Sequence, residues 1–140
     1  MRNSMRKALY GAAITLVAVA AQADGGDEDE GFTGRLAAAD AARGEKVFVQ
    51  CRGCHMAAAD GAHMAGPNLY GVIGREAGTA AGFGFYSAAM KAAGISWSPE
   101  RLDSYLANPR AVLAGTSMAY GGLKDAGARA DLIAYLQSLK

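Results

Sequence analysis

The sequence has few cysteines, histidines and large side chains, and each shortage excludes a class of protein. Only 2 cysteines and 2 histidines occur among 140 residues, too few for a disulfide-rich scaffold or a multi-ligand zinc module. Aromatic residues make up 8% of the chain whereas 19 residues are glycine, so we expect something other than side chains to fill part of the core. The 14 basic and 13 acidic residues nearly balance, which argues against nucleic-acid binding, because such domains are usually basic.

The first 23 residues have the pattern of a secretory signal peptide. Arg2, Arg6 and Lys7 form a basic start, residues 8–21 form an uncharged apolar run, and Ala21-Gln22-Ala23 resembles a cleavage site. The run is shorter than the roughly 20 apolar residues of a membrane span, so an uncleaved anchor is the weaker alternative. Cleavage leaves 11 basic residues against 13 acidic ones, and we expect a periplasmic protein with a net charge of −2.

The mature chain divides into a leader and one domain. Residues 24–39 are acidic and rich in glycine, and we expect a solvated, flexible leader, because like charges without apolar partners do not pack. Residues 40–140 form the remaining domain, a length that suits a single core.

Turn and capping residues divide this domain into short helices and long loops. Asp40 can cap a helix that runs toward the cysteines, and Ser98-Pro99 is typical of a helix start. Two more helices are predicted over residues 87–93 and from Asp125 onward, and Asn108-Pro109 ends the helix that begins at Ser98. The glycine-rich loops lack the alternation of strands. The sequence therefore predicts an all-α fold of three to five short helices with loops that wrap a rigid apolar body.

The motif Cys51-Arg52-Gly53-Cys54-His55 contains both cysteines of the chain. Cys-x-x-Cys-His is the signal for covalent attachment of a c-type haem: each thiol forms a thioether with one vinyl group, and the histidine offers an imidazole nitrogen to the iron. Two alternatives are weaker. A thiol–disulfide redox pair would be expected in a βαβ context, and a zinc site would need both cysteines and both histidines.

The residues alone leave the second iron ligand open. The candidates are Met56, Met64, Met90, Met118 and His63. Met118 is favoured because it lies in an irregular stretch that can curve over a haem edge, whereas a methionine elsewhere is by default a core residue.

Several motifs in one order resemble the class I cytochromes c, the small monohaem electron carriers that include mitochondrial cytochrome c and bacterial cytochrome c2. The resemblance covers residues 40–140. Its pieces are Gly44 and Phe48 before Cys51-x-x-Cys54-His55, then Gly66-Pro67-Asn68-Leu69-Tyr70-Gly71, Gly74-Arg75, Phe85-Tyr86-Ser87, Gly94-Ile95-Ser96-Trp97, Leu106-x-Asn108-Pro109, Gly115-Thr116-x-Met118 and Leu132-x-x-Tyr135-Leu136.

The resemblance implies a role for each matching residue. Met118 matches the axial sulfur ligand opposite His55, and Pro67 matches the residue whose carbonyl accepts the N–H of that histidine. The remaining matches are to residues around the haem: Tyr86 and Trp97 to donors to a propionate, Arg75 to a charge near the propionates, and Asn68 and Thr116 to hydrogen-bonding residues of the two ligand loops. Gly44 matches the crossing of the first and last helices.

This family implies a soluble, monomeric carrier of one electron on a single haem c, not an enzyme. Its partners would be a membrane oxidase, a cytochrome bc1-type complex or a periplasmic dehydrogenase, with transient docking and neither nucleic-acid binding nor stable membrane insertion. The alternative is a haem enzyme or small-ligand binder, peroxidase-like, with an open sixth position. The chain departs from the family at Ala114, where proline is frequent, at Ser117, where lysine is common, and at Tyr120, where phenylalanine is usual.

Overall fold

A computed structural model describes residues 26–140, so the predicted signal peptide lies outside the described residues. Within this range the chain is helical, with α1 at Gly26–Ala37, α2 at Ala41–Phe48, α3 at Ala88–Lys91, α4 at Pro99–Ala107, α5 at Pro109–Val112 and α6 at Ala126–Ser138. The described residues contain no strand, only an isolated antiparallel bridge between Glu76 and Ser96. The all-α class is confirmed. The six helices of this range exceed the predicted three to five, because α1 and α5 were not expected.

Short polar side chains begin the predicted helices. Asp40, Ser87, Ser98 and Asp125 each accept a hydrogen bond from the backbone N–H three residues further on, which satisfies one of the unpaired donors of the first turn. Gly94, after α3, has a φ of +60°, the left-handed conformation that glycine adopts most readily. These predicted starts are confirmed, whereas α3 ends at Lys91, two residues before the predicted end at residue 93.

One helix end and one helix start differ from the sequence-based expectation. The helix after Asp40 ends at Phe48, and the chain continues to the cysteines in separate turns, with the Cys51 N–H bonded to the Phe48 carbonyl at 2.8 Å. The stretch after Asn108 is not irregular from its start. Asn108 ends α4 and also caps α5, where its side chain accepts the Ala111 N–H at 3.3 Å, since proline at a first helical position fits a new helix as well as it stops an old one.

The crossing of α2 and α6 organises the core. A Cβ atom on Gly44 would meet the backbone of Asp131 and, at 2.8 Å, the Cβ of Tyr135, so only glycine lets the helices approach this closely. Phe48 packs beside Tyr135 with ring centroids 5.5 Å apart. The predicted meeting of the first and last helices of the domain is confirmed, and it fixes the segment that leads into Cys51.

From residue 26 onward, the helix α1 corrects the expectation of a solvated, flexible leader over residues 24–39. Phe32 is only 4% exposed and belongs to the hydrophobic core, and Leu36, one turn later, packs against it. The Arg35 guanidinium lies 3.7 Å from the carboxylate of Asp103 in α4. This helix was not predicted because the acidic residues 27–30 indicated a solvated segment. Phe32 and Leu36, which dock the helix, follow the acidic residues and are four positions apart, a helical spacing. None of the helices in residues 26–140 is long and apolar enough to cross a membrane.

Candidate functional site

An apolar cavity of about 270 Å³ is lined by residues of α4, α6 and the glycine-rich loops. Most of the residues singled out from the sequence line it, and they come from separate parts of the chain: Cys54, His55, Pro67, Arg75, Tyr86, Trp97, Thr116 and Met118. Core side chains such as Leu69, Leu102, Tyr105 and Leu136 complete the wall. Cys51 and Asn68 lie behind the wall rather than in it, Cys51 packed against the core and Asn68 buried.

The His55 ring is held by its neighbouring loop. Its Nδ1 lies 2.7 Å from the Pro67 carbonyl and therefore donates, so Nε2 keeps a free lone pair. Burial lowers the pKa of His55, an effect that the bond to Pro67 only partly opposes. A Cβ on Gly66 would collide with the ring, and the Gly66 N–H donates to the Cys54 carbonyl at 2.8 Å. The result is a neutral imidazole in one orientation, as a metal-ligating histidine requires.

The two cysteines are not equivalent. Cys54 is exposed and lines the cavity, whereas Cys51 is half-buried. Burial raises the pKa of Cys51 to about 11, so this thiol stays protonated at neutral pH. A nucleophilic or redox-active cysteine needs a lowered pKa, and Cys51 has the opposite environment.

Met118 reaches the cavity from a loop that α4 supports. The Tyr105 hydroxyl lies 2.8 Å from Thr116 Oγ1 and donates to Met118 Sδ at 3.6 Å, and the Met118 N–H donates to Thr116 Oγ1 at 3.4 Å. Desolvation raises the pKa of Tyr105, partly offset by Thr116. Tyr105 is buried in α4 and was not among the residues singled out from the sequence. The available signal is the hydroxyl of Tyr105, because a buried tyrosine hydroxyl needs a hydrogen-bond partner.

The other candidates for a second ligand have different surroundings. Met56 and Met64 are 39% and 42% exposed and do not line the cavity. Met90 lines the cavity from α3. His63 uses both ring nitrogens between loops, since Nδ1 accepts the Asn68 N–H at 3.0 Å and Nε2 donates to the Ala81 carbonyl at 2.8 Å. Its environment is that of a loop-bridging residue.

Arg75 puts a positive charge into the cavity wall. Its two terminal nitrogens donate to the carbonyls of Tyr70, at 3.3 Å, and Asn68, at 3.1 Å. No carboxylate within residues 31–140, the part of the chain whose side chains are described, pairs with it. Burial lowers the pKa of Arg75, although a guanidinium stays charged in proteins. The charge is therefore available to an anion in the cavity.

Asn68 ties together the loop behind His55. Its side-chain amide donates to the carbonyls of Ala58, at 2.7 Å, and Gly61, at 2.8 Å, and its Oδ1 accepts the Tyr70 N–H at 3.0 Å. Since Asn68 is only 8% exposed, each of these bonds satisfies a buried polar atom. The amide thus supports the loop that carries Pro67.

The two aromatic residues singled out from the sequence stand in the wall. The Tyr86 hydroxyl accepts the Ala80 N–H at 3.2 Å. Trp97 is 7% exposed, with its ring centroid 4.9 Å from that of Tyr105. Both residues therefore line the same cavity as Arg75.

Tyr120 makes a contact that the sequence did not reveal. Its hydroxyl donates to Gln50 Oε1 at 2.6 Å, which joins the Met118 loop to the residue before Cys51. Desolvation raises the pKa of Tyr120. No local pattern could have paired residues that lie 70 positions apart.

Comparisons with known proteins agree on one family. The cytochrome c family model matches residues 41–140. Cytochrome c of Chlamydomonas reinhardtii is 50% identical over 101 residues, which cover 71% of this chain and 89% of that protein. Cytochrome c2 of Rhodomicrobium vannielii is 46% identical over 100 residues, 71% of this chain and 79% of that one. The solved structure of cytochrome cH from Methylobacterium extorquens superposes with a TM-score of 0.65 at 40% identity, covering 71% of this chain and 98% of that one.

Proposed function

The chain belongs to the cytochrome c family, and on this premise we propose that it is a soluble periplasmic carrier of single electrons whose haem iron is ligated by His55 and Met118. Membership makes it a haem electron-transfer protein with one covalently attached haem c. Its relatives are cytochromes c by name, and the alternative of a haem enzyme with an open sixth position gains no support from them.

The residues of the cavity fit this group. His55 and Met118 face one apolar cavity, and they offer the imidazole nitrogen and thioether sulfur that ligate iron in cytochromes c. Two residues separate Cys51 from Cys54, and His55 follows Cys54 directly. The Arg75 guanidinium, which has no carboxylate partner among residues 31–140, suits the carboxylates of a porphyrin. This convergence of His55, Met118 and a cation on one apolar cavity is the observation that carries the proposal.

When bound, the haem supplies an iron that changes between two oxidation states without a change of ligands. The protein's own residues make that change fast. Pro67 holds the His55 ring in one orientation, and Tyr105 and Thr116 hold the Met118 sulfur, so little reorganisation is required. The apolar wall excludes water, and thioether ligation favours the reduced form.

We further propose transient docking of a monomer with a membrane oxidase, a cytochrome bc1-type complex or a periplasmic dehydrogenase. Electron-transfer encounters are small in area, and complementary charges set their association rate more than their affinity. The predicted mature charge is −2, and Ser117 is uncharged at a position where lysine is common in the family. These two features favour a partner whose docking surface is not strongly acidic. Rates of reduction and oxidation with membranes and candidate dehydrogenases, compared over a range of ionic strength, test this point.

The axial assignment is tested by substituting two methionines in the purified holoprotein. Met118→Ala should abolish the methionine-to-iron charge-transfer band of the oxidised protein, lower the reduction potential and allow rapid binding of cyanide. Met64→Ala, a matched control on an exposed methionine, should leave all three unchanged. An unaltered spectrum in Met118→Ala would refute the proposed ligand.

The periplasmic assignment rests on the signal-peptide pattern of residues 1–23. Cell fractionation should place the haem-containing protein with periplasmic markers, and mass spectrometry should show a chain that starts near Asp24. A haem protein retained with the membrane, its basic N-terminus intact, would contradict this part of the proposal.

A further inference from the structure

Residues 117–122 form the segment that carries Met118 into the cavity, and few hydrogen bonds hold this segment. Within the described residues, none of its residues makes a backbone-to-backbone hydrogen bond. The next backbone bonds on either side are those of Thr116 to Leu113 and of Leu123 to Leu106. Whatever holds the Met118 sulfur in place must therefore come from side chains.

Three hydrogen bonds involving side chains hold this segment, and they differ in quality. The Met118 N–H reaches Thr116 Oγ1 at 3.4 Å, and the Tyr105 hydroxyl reaches Met118 Sδ at 3.6 Å, distances at which hydrogen bonds are weak or involve sulfur. The Tyr120 hydroxyl meets Gln50 Oε1 at 2.6 Å, within the short range for O–H···O bonds. It is the strongest tether of the segment by geometry.

We propose that the hydrogen bond between Tyr120 and Gln50 is a latch that positions Met118. The inference rests on the proposed function, because it assumes that Met118 ligates the iron. Gln50 directly precedes Cys51, so the latch joins the segment that bears the thioether bonds and His55 to the segment that bears the opposite ligand. Tyr120 acts through the loop, as a positioning residue.

The position of the latch explains why a tyrosine suits residue 120. The segment ends in Gly121 and Gly122, and Gly122 has a φ of +95°, so its backbone supplies little stiffness of its own. Ala114, on the other side of the loop, restrains its backbone less than a proline would. A hydroxyl at residue 120, bonded across to Gln50, restrains the loop from outside.

The free energy of one neutral hydrogen bond sets the size of the effect. Loss of the latch should raise the fraction of molecules with Met118 away from the iron by about 2–10-fold. An external ligand such as imidazole binds only this open fraction, so its apparent affinity rises by the same factor.

The test measures imidazole binding to the oxidised holoprotein by loss of the methionine-to-iron charge-transfer band. Tyr120→Phe and Gln50→Leu should each bind imidazole about 2–10-fold more tightly than the wild type. The double variant should match either single variant, because both remove the same bond. Gln50→Glu keeps an oxygen acceptor, and a charged one forms the stronger bond, so this variant should bind imidazole no more tightly than the wild type. Tyr70→Phe, which removes a hydroxyl that makes no hydrogen bond to residues 31–140, is the matched control and should change nothing.

The outcomes separate the latch from the function on which it rests. A wild-type protein that lacks the charge-transfer band would overturn the ligand assignment, and the latch with it. A wild-type protein with the band, together with a Tyr120→Phe variant of unchanged imidazole affinity, would overturn the latch alone. So would a Gln50→Leu effect that persists in full in the Tyr120→Phe background.

Discussion

The substitution Gly44→Ala tests the helix crossing on which the fold depends. Gly44 is buried in α2, and a Cβ atom there would lie 2.6 Å from the carbonyl carbon of Asp131 and 2.8 Å from the Cβ of Tyr135 in α6. Neither atom can move by a simple side-chain rotation, since one is backbone and the other is attached to it. One methyl group therefore forces α2 and α6 apart or distorts one of them.

Two opposing effects set the magnitude. Alanine in place of glycine favours the helix by about 0.5–1 kcal/mol. Overpacking a close-packed core costs about 1–3 kcal/mol, and the rigid neighbours put this site toward the upper end of that range. The net loss of unfolding free energy should be about 2 kcal/mol, which corresponds to a fall in Tm of about 8–16 °C for a domain of this size.

Urea or thermal unfolding of the holoprotein, followed by circular dichroism, measures this loss. Gly34→Ala is the matched control, because Gly34 is also helical and a Cβ there meets nothing within 4 Å. The control should be as stable as the wild type or about 0.5–1 kcal/mol more stable. If Gly44→Ala were stabilised like Gly34→Ala, the close approach of α2 and α6 would be wrong.

Three further substitutions test other parts of the molecule. Phe32→Ala should cost about 3 kcal/mol of unfolding free energy, because it empties a buried position of α1, and should leave the visible spectrum unchanged. Asp131→Asn should lower the unfolding free energy at neutral pH, because the hydrogen bonds from Arg43 lower the pKa of Asp131 in the folded protein. The ionised carboxylate therefore stabilises the fold above its ordinary pKa of about 3.9. This contribution disappears as the pH falls through the lowered pKa of the folded state. Cys51→Ser combined with Cys54→Ser should give a haem-free chain without fixed tertiary structure, as judged by near-ultraviolet circular dichroism.

Each of these has a result that would contradict it. A Phe32→Ala protein as stable as the wild type would show that α1 does not dock in solution. A difference between Asp131→Asn and the wild type that persists unchanged at strongly acidic pH would show that the charge of Asp131 is not its cause. A compact, haem-free double cysteine variant would refute the idea that the loops need a bound body to wrap.

The sequence predicted those features in which all the interacting residues lie within a few positions of one another. The caps at Asp40 and Ser98 bond to the backbone three residues away, so a local pattern contains the whole interaction. The same holds for the Cys-x-x-Cys-His motif. The roles of Pro67, Arg75 and Met118 came only from the order of several motifs, because their spacing alone left the second ligand open.

The features that were missed depend on partners far along the chain. Phe32 stabilises α1 only because it packs against a core to which α4 and α6 contribute. From the sequence alone, the acidic residues before Phe32 indicated a solvated segment instead. The hydroxyl of Tyr105 gains its role from Thr116, and that of Tyr120 from Gln50. Propensity and periodicity describe one segment at a time, so such contacts can be found only once the segments are placed together.

The two sides of the cavity are restrained by different kinds of interaction, and this difference has a functional consequence. On the His55 side, backbone bonds join Gly66 to Cys54 and Leu69 to Met56, at 2.8 Å each, and the Pro67 carbonyl holds the ring. On the Met118 side, residues 117–122 depend on hydrogen bonds that involve side chains. Backbone bonds between loops break only when the loops separate, whereas a side-chain bond can break by rotation about one or two torsions. Exchange of an axial ligand should therefore begin with the sulfur, and the stability of the oxidised state depends on the side chains that hold that loop closed.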